Sequence, residues 1–329
     1  MNLSQKYIPL ALSFDADRLA EEVSALPDDA WMAHPLGLNG NSAVPLISVG
    51  GGINDLFQGP MAMTPHLEQS AYHRQVLASF NEVLGRSRLM RIAAGTELTP
   101  HVDLEYHWHT HVRIHIPIIT NPDVVFYCGG ETMHMKAGSC WIFNTWLPHK
   151  VENNGNDDRT HLVIDVCGSS RFWNLVDKTL GADPYVDLRD QGIRSRRIPY
   201  MKGATPPIQT EQFNVSPVLA PGEMEALVNN IIQEISFNPN NDPAGVEFCK
   251  QLLNAYAMDW RQTWLAFGFK KEGWPHYDAL VRGLMARTQD GVFRRLLLAS
   301  NNTPVAEVIL KHLIVPAMNF DYLESLRSA

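Results

Sequence analysis

The sequence predicts a mainly β protein with intervening helices, followed by a helical C-terminal region. Up to residue 205, short runs rich in β-branched and aromatic residues alternate with Gly, Asn, Asp and Pro, which is typical of a β-sandwich or barrel. Beyond that point apolar residues recur with the spacing of amphipathic helices. We therefore expect a β-rich domain over residues 1–205 and a helical domain over residues 206–329.

The elements of the first part follow from local patterns. Apolar spacing predicts helices at 15–26 and 68–85, and the first of these follows a short N-terminal strand. Predicted strands occupy the short runs bounded by turn residues, namely 43–52, 88–95, 111–120, 123–130, 138–145 and 160–168.

The second part begins with a clear helix signal. Pro221 stands at the start of 221–236, where the apolar residues of one stripe are Met224, Leu227, Ile231 and Ile232. Residues 169–220 are predicted to be a long connection. Similar periodicity predicts further helices at 245–268, 276–287, 290–299 and 304–314.

Composition and charge exclude some classes of function. The 329 residues are 45% hydrophobic and 19% charged, with a formal net charge of −8. This balance is ordinary for a globular protein and lacks the basic footprint of nucleic-acid binding. No apolar run approaches the roughly 18 residues that a membrane helix needs. We therefore expect a small-molecule partner, with no nucleic acid and no membrane. The oligomeric state cannot be read from the sequence.

The cysteines and the N-terminus indicate a compartment. The four cysteines are scattered, without a CxxC pair, which favours reduced and mostly buried thiols. The short apolar patch at the N-terminus lacks a cationic flank and soon meets Asp15 and Asp17. We therefore expect a cytoplasmic protein.

The chemistry-bearing residues concentrate between positions 100 and 165. His101 and Asp103 are two residues apart, so strand geometry would send both side chains to one face. His149 follows an apolar strand and can supply a third ligand. Two imidazoles and one carboxylate on one face leave open positions that suit non-heme Fe(II). Arg159 stands ten residues after His149, where its guanidinium can pair bidentately with a carboxylate of a dicarboxylic cosubstrate.

This region resembles the aspartyl/asparaginyl β-hydroxylase family of Fe(II)/2-oxoglutarate-dependent oxygenases, which includes bacterial proline hydroxylase-like members. The matching motifs are PHVD (100–103), RIHIPI (113–118), MKAGSCWIFN (135–144), LPH (147–149) and RTHLVID (159–165).

The resemblance implies a double-stranded β-helix, the jelly-roll or cupin-like core, and a hydroxylase that uses Fe(II), 2-oxoglutarate and O2. It implies that His101, Asp103 and His149 hold the metal and form the catalytic centre. Because related halogenating enzymes lack the carboxylate, Asp103 favours hydroxylation. Residues assigned to the cosubstrate are Arg159, His115, Met90 and Ile92.

Residues 107–115 form a run that is rich in histidine. If 109–118 is a strand, Val112, Ile114, Ile116 and Ile118 face one way, and His109, His111, Arg113 and His115 face the other. Arg113, His109 and His111 are candidate substrate contacts; the alternative for Arg113 and His115 is a hydrogen-bonded core pair. His109 and His111 can also lie in a loop at the pocket mouth. A separate zinc site in this run has no cysteine partner in the local sequence.

The substrate predicted from these features is an amino acid or related small metabolite. Without a membrane segment or a TPR-like repeat, lipid and protein substrates are less favoured. Three alternatives stay open: hydroxylation of Asp or Asn residues in a protein or peptide, a cupin-like metal enzyme independent of 2-oxoglutarate, and a non-enzymatic binding protein.

Overall fold

The computed structural model describes residues 2–33, 40–180 and 195–319. The chain divides into two compact units, the first formed within residues 1–214 and the second within residues 215–329. Residues 104–106 belong to the second unit, and residues 206–214 belong to the first. The division into a β-rich and a helical domain after residue 205 stays a prediction.

The strands of the described residues all lie in the first unit. They are β1 (Tyr7–Pro9), β2 (Leu12–Phe14), β3 (Met32–Ala33), β4 (Asn41–Val49), β5 (Met61–Met63), β6 (Val83–Leu84), β7 (Ser87–Ile92), β8 (Thr96–His101), β9 (Val112–Ile119), β10 (Val124–Cys128), β11 (Glu131–Met133), β12 (Trp141–Phe143), β13 (His149–Asn153), β14 (Arg159–Val166), β15 (Arg196–Ile198) and β16 (Gln209–Thr210).

The strand order is that of a jelly roll. One antiparallel sheet has the order β1-β12-β9-β14-β7-β4-β3, with β5 added to β4, and the other has the order β11-β10-β13-β8. From β7 to β14, the chain crosses from one sheet to the other after every strand except β10. Each crossing brings strands distant in sequence side by side, which closes the barrel. The predicted double-stranded β-helix core is confirmed.

Alternation along β14 and β9 separates two apolar cores. Leu162 and Ile164 of β14 pack with Ile114 and Ile116 of β9 in a cluster that also contains residues of the helices, such as Leu19 and Leu77. We call this cluster the helix-side core. The intervening residues of these strands point to the other side, where a second cluster lies between the two sheets. We call this space the barrel interior; its apolar residues are Tyr7, Ile92, Val124, Phe126, Cys128, Met133, Met135, Trp141, Phe143 and Val151.

The helices of the first unit differ from prediction in three places, one of them at residues 107–110 within the histidine-rich run. They are α1 (Ala16–Ser24), α2 (Pro65–Gln69), α3 (Ala71–Ser79), α4 (His107–Thr110) and α5 (Ser170–Leu180). The helix predicted at 68–85 is wrong in extent, because Ser70 leaves helical geometry between α2 and α3 and residues 83–84 pair with β16. The connection predicted over 169–220 is also wrong at its start, where α5 packs Phe172 and Val176 into the helix-side core.

The second unit is helical, as its periodicity predicts. Its helices are α6 (Pro221–Phe237), α7 (Pro243–Phe267), α8 (Trp274–Thr288), α9 (Gly291–Arg295) and α10 (Val305–Ile309), followed by a π-helical turn at Leu310–Ile314. Met224, Leu227 and Ile231 of the predicted stripe are buried, whereas Ile232 is only partly covered. Within residues 2–33, 40–180 and 195–319, every helix is too short or too polar to cross a membrane.

Candidate active site

The pairing of β8 with β13 sets up a cluster of three potential metal ligands. His101 ends β8 and stands directly opposite His149, the first residue of β13, and their ring centroids are 4.2 Å apart. Asp103 lies beyond the strand, where its N–H donates to the Thr145 carbonyl at 3.0 Å. One ligand atom from each of the three side chains lies within 4.8 Å of the others. The three residues can therefore hold one ion.

Hydrogen bonds orient both imidazoles toward this point. Nδ1 of His101 is 2.8 Å from the Thr99 carbonyl, and Nδ1 of His149 is 2.9 Å from the Leu147 carbonyl. Because a carbonyl only accepts, each Nδ1 carries the proton and each Nε2 keeps its lone pair. Metal-ligating histidines are commonly fixed in this way through the second nitrogen.

The cluster is half open to solvent. The His101 side chain is 44% exposed and the Asp103 side chain 15% exposed, whereas His149 is buried. Burial lowers the pKa of His149, and the nearby Asp103 carboxylate only partly opposes this. The neutral, ligand-competent form of His149 is therefore favoured. The donor set of two imidazoles and a carboxylate fits a facially bound Fe(II) with open positions.

Arg159 is a buried cation without a counter-charge. It is the first residue of β14 and only 3% exposed, and burial lowers its pKa to about 9. Within the described part of the chain it forms no ion pair, and its Nε has no hydrogen-bond partner. Its guanidinium carbon lies 5.0 Å from the centre of the Phe126 ring. A buried, unpaired guanidinium is costly unless a ligand supplies an anion.

Two buried histidines line the same interior as Arg159. His115 and His161 have both ring nitrogens without a partner among the described residues, and burial places the pKa of each well below its usual range. The His115 ring lies 4.9 Å from Phe143, which in turn lies 5.3 Å from His149. The barrel interior is therefore continuous from the metal-ligand cluster to His115, His161 and Arg159.

Arg113 is held by a carboxylate that the sequence analysis did not single out. Its Nε and Nη2 donate to the two oxygens of Asp165 at 2.7 and 3.1 Å, and its guanidinium stacks on Trp108 at 4.4 Å. Burial disfavours the Asp165 carboxylate, but Arg113, His107 and Arg86 outweigh it and keep its pKa well below the usual range. Nη1 of Arg113 makes no hydrogen bond with a described residue. Arg113 therefore retains one donor group for a ligand.

The other two candidate substrate contacts lie elsewhere than the strand pattern predicts. His109 lies in the short helix α4, so the strand predicted from residue 109 begins only at Val112. His111 is buried and its Nε2 lies 2.6 Å from Glu211. Burial opposes its protonation, but Cys167 and Glu211 outweigh this and raise its pKa to about 10. His111 is thus engaged by protein groups, and its substrate role stays a prediction.

Met90 and Ile92 lie on the inner side of β7. Ile92 pairs with Arg159 across the sheet, and Met90 pairs with His161. Met90 also lines a small pocket with Arg88 and Asp55. Both residues therefore lie on the strand that pairs with Arg159, and their contact with the cosubstrate stays a prediction.

Two groups were missed by sequence reasoning, for different reasons. Asp165 lies six residues after Arg159, so strand alternation places both on the inner face; a carboxylate in an apolar strand was the available signal. Cys167 and Glu211 join His111 in a second group whose ligand atoms lie within 4.8 Å of one another. Their separations of 56 and 100 residues leave no local pattern.

Comparison with known proteins bears on the first unit. Residues 26–168 match the sequence profile of the aspartyl/asparaginyl β-hydroxylase family. By this match, the segment is similar to that family. The matched segment contains strands β7 to β14 and all three metal-ligand candidates.

Individual relatives of the family segment are distant. An L-proline cis-4-hydroxylase of Rhizobium meliloti (strain 1021) is 25% identical over 108 residues, which are 32% of this chain and 39% of that protein. An L-proline cis-3-hydroxylase of a Streptomyces species is 24% identical over 139 residues, which are 39% of this chain and 48% of that protein. The chain thus spans less than half the length of these curated relatives.

One solved structure among the similar folds is an oxidoreductase of the 2OG-Fe(II) oxygenase family from Burkholderia pseudomallei. It has a TM-score of 0.32 and 14% sequence identity, covering 46% of this chain and 76% of that chain.

Proposed function

We propose that this protein is an Fe(II)- and 2-oxoglutarate-dependent hydroxylase that acts on an amino acid or a related small metabolite. The observation that carries the proposal is the pairing of two features in one barrel. His101, Asp103 and His149 form an open metal-ligand cluster, and Arg159 is a buried guanidinium in the same interior that has no counter-charge among the described residues.

His101, Asp103 and His149 would hold the iron, with the Thr99 and Leu147 carbonyls keeping both imidazoles in the ligating tautomer. Iron and 2-oxoglutarate, when bound, would supply the oxidising chemistry that couples decarboxylation of 2-oxoglutarate to succinate with hydroxylation of a substrate C–H bond by dioxygen. The remaining tasks are binding, orientation and exclusion of water, which belong to the chain's own side chains.

Arg159 would bind the distal carboxylate of 2-oxoglutarate. The dicarboxylate would provide the counter-charge that the guanidinium lacks, and a fork of two N–H donors would orient it. Phe126 and Phe143 border this space and are buried. Their rings would keep water from competing for the ion pair, which strengthens it.

Arg113 is the candidate partner for a substrate carboxylate. Asp165 fixes the guanidinium through Nε and Nη2, which leaves Nη1 as the donor directed elsewhere. A positioned cation that is not mobile reduces the entropy lost when substrate binds. The two relatives named as L-proline hydroxylases support a free amino acid as the substrate class.

The test combines one variant with a substrate screen. Protein loaded anaerobically with Fe(II) is supplied with 2-oxoglutarate, dioxygen and either single amino acids or Asp- and Asn-containing peptides, and succinate is measured. We expect one amino acid or close analogue to stimulate succinate formation. Stimulation by peptides alone would replace the small-molecule substrate with a protein residue, and no stimulation by any compound would contradict the hydroxylase.

Asp103→Ala should abolish this turnover and weaken Fe(II) binding by more than about tenfold, because a metal ligand contributes at least as much as an outer-shell partner. Asp157→Ala is the matched control, since Asp157 is an exposed carboxylate of the same unit. Unchanged turnover in Asp103→Ala would reject the ligand assignment.

A further inference from the structure

We propose that His111, Cys167 and Glu211 form a second metal site, selective for a thiophilic divalent cation such as Zn2+ and distinct from the His101, Asp103 and His149 cluster. The three ligand atoms lie within 4.8 Å of one another. A histidine, a cysteine and a carboxylate are all zinc ligands, and together they favour zinc over Mg2+ or Ca2+.

The His111 ring is oriented for coordination through Nε2. Its Nδ1 lies 3.1 Å from the backbone carbonyl of His107 and donates a hydrogen bond to it. Nε2 points to both other ligands, at 3.3 Å from Sγ of Cys167 and 2.6 Å from Oε1 of Glu211. This is the arrangement in which a ligating histidine is fixed by a backbone carbonyl.

The other two ligands are positioned by their surroundings. Glu211 is buried, and Nδ2 of Asn214 donates to its second oxygen, Oε2, at 3.1 Å. Cys167 directly follows β14, and its carbonyl accepts a bond from the Trp173 indole at 3.1 Å. Gly168 then turns the chain with φ of +78°, and a Cβ there would lie 2.6 Å from Phe172 and 2.7 Å from the Trp173 indole nitrogen. The thiol is thereby held at the strand end.

The distances require one small movement. With zinc bonds of roughly 2.0–2.3 Å and tetrahedral angles, neighbouring ligand atoms are roughly 3.3–3.6 Å apart. The separation of Sγ and Nε2 already meets this value. Oε1 of Glu211 has to withdraw from its hydrogen bond with Nε2 by a rotation of its side chain, and the ion displaces to solvent the proton that Nε2 shares with Oε1 and the proton of the Cys167 thiol. Because Cys167 is exposed, the fourth position is open to water or a ligand.

The site would connect three segments of the first unit. His111 precedes β9, Cys167 follows β14, and Glu211 follows β16. The ends of β9 and β14 are already paired at Val112 and Val166. A bound ion would join this strand end to the segment after β16, so Zn2+ should raise the melting temperature of the protein.

Cobalt provides a readout that is independent of activity. The protein, reduced with a non-thiol reductant, is titrated with Co2+, and the near-ultraviolet sulfur-to-cobalt charge-transfer band is recorded. The His101 cluster contains no sulfur and cannot produce this band. We expect one equivalent of Co2+ to generate it, Zn2+ to remove it, Cys167→Ser to abolish it, and His149→Ala to retain it.

A further variant tests Glu211 as a ligand, and another serves as the control. Glu211→Gln should weaken Zn2+ binding by roughly 10- to 100-fold or more, and Zn2+ should no longer stabilise Cys167→Ser against heat. Cys249→Ala, which removes a buried thiol on α7, should behave as the wild type. The proposal is wrong if the folded wild type shows no charge-transfer band, or if Cys167→Ser retains it.

Discussion

At the scale of single residues, the barrel interior contains charged groups with opposite environments. Arg113 and Asp165 neutralise one another through two hydrogen bonds, whereas Arg159 is buried without a counter-charge in the described part of the chain. A buried cation without a partner is a candidate binding site for an anion, whereas a paired cation contributes to the stability of the fold in addition to any ligand contact. The two arginines therefore have different expected phenotypes.

Arg159→Ala should raise the KM for 2-oxoglutarate by about 30-fold or more, because removal of one partner of a buried charge pair costs at least 2 kcal/mol. Arg91→Ala is the matched control: Arg91 is the neighbour of Ile92 on β7, it is partly exposed and its guanidinium lies over Trp31. Steady-state kinetics with varied 2-oxoglutarate measures both. An equal KM for 2-oxoglutarate in the two variants would show that Arg159 does not bind the cosubstrate.

Asp165→Asn should destabilise the protein by about 3–5 kcal/mol, because it leaves the buried Arg113 and Arg86 without their shared carboxylate. Asp158→Asn should lower the free energy of unfolding by less than about 1 kcal/mol, since Asp158 is exposed and forms a loose surface ion pair, with 3.8 Å between its Oδ2 and Nε of Arg91. Urea unfolding of the two variants gives the comparison. Equal losses of unfolding free energy would show that the Asp165 network contributes little.

At the scale of elements, the register of short strands positions the candidate metal ligands. The register of β8 against β13 brings His101 opposite His149, and a shift of one residue would turn one imidazole to the opposite face. In the second unit, α7 extends over 25 residues with Asp242 as its N-cap. The indole of Trp260 on this helix donates to the Leu219 carbonyl at 2.9 Å.

Asp242→Ala should destabilise the second unit by about 1 kcal/mol, because its side chain accepts a bond from the Gly245 N–H at 2.8 Å that no alanine can replace. Asp259→Ala, at an exposed position within the same helix, should leave stability unchanged or slightly higher. Thermal unfolding followed by circular dichroism distinguishes the two. A destabilisation by Asp259→Ala as large as that of Asp242→Ala would contradict the capping role.

At the scale of the whole molecule, the buried titratable groups predict sensitivity to acid. Burial, together with the charge of Arg159, depresses the pKa of His161, and the ion network depresses that of Asp165 although burial opposes it. The unfolded chain binds protons to these groups before the folded protein does. Stability is therefore fully present above an unfolded histidine pKa of about 6.5 and decreases as the pH falls below it, with Asp165 adding a further loss below about pH 4.

His161→Phe should make this loss smaller. Each buried histidine that stays neutral contributes a slope of about 1.4 kcal/mol per pH unit below its unfolded pKa, and phenylalanine removes one such group. The ring of His161 already stacks on Phe126 at 5.4 Å, so an aromatic replacement preserves the contact. Urea unfolding at pH 7 and pH 5.5 tests the difference; identical pH slopes would assign the acid sensitivity to other groups.

The periodicities and the short motifs were sufficient to predict most elements. Alternating β-branched runs predict β7, β9, β10 and β14, and apolar stripes predict α6 to α8, because these patterns reflect which face of each element is buried. The limits of the short elements were less predictable: α3 ends before residue 85, and α5 occupies a stretch that looked like a connection. Local propensity in these places is weak compared with the packing that decides them.

The sequence by itself determined the fold class and the identity of the candidate ligands, since HxD, the later histidine and the arginine ten residues beyond it are local patterns. The tertiary structure decided which charged groups meet. Asp165 pairs with Arg113, Cys167 and Glu211 meet His111, and Arg159 has no counter-charge within the part of the chain that the structure describes. These partners are separated by 52 to 100 residues. The pairing of β9 with β14 brings Arg113 to Asp165 and His111 to Cys167, and the segment after β16 adds Glu211, so long-range strand pairing, which no local pattern specifies, brings them together.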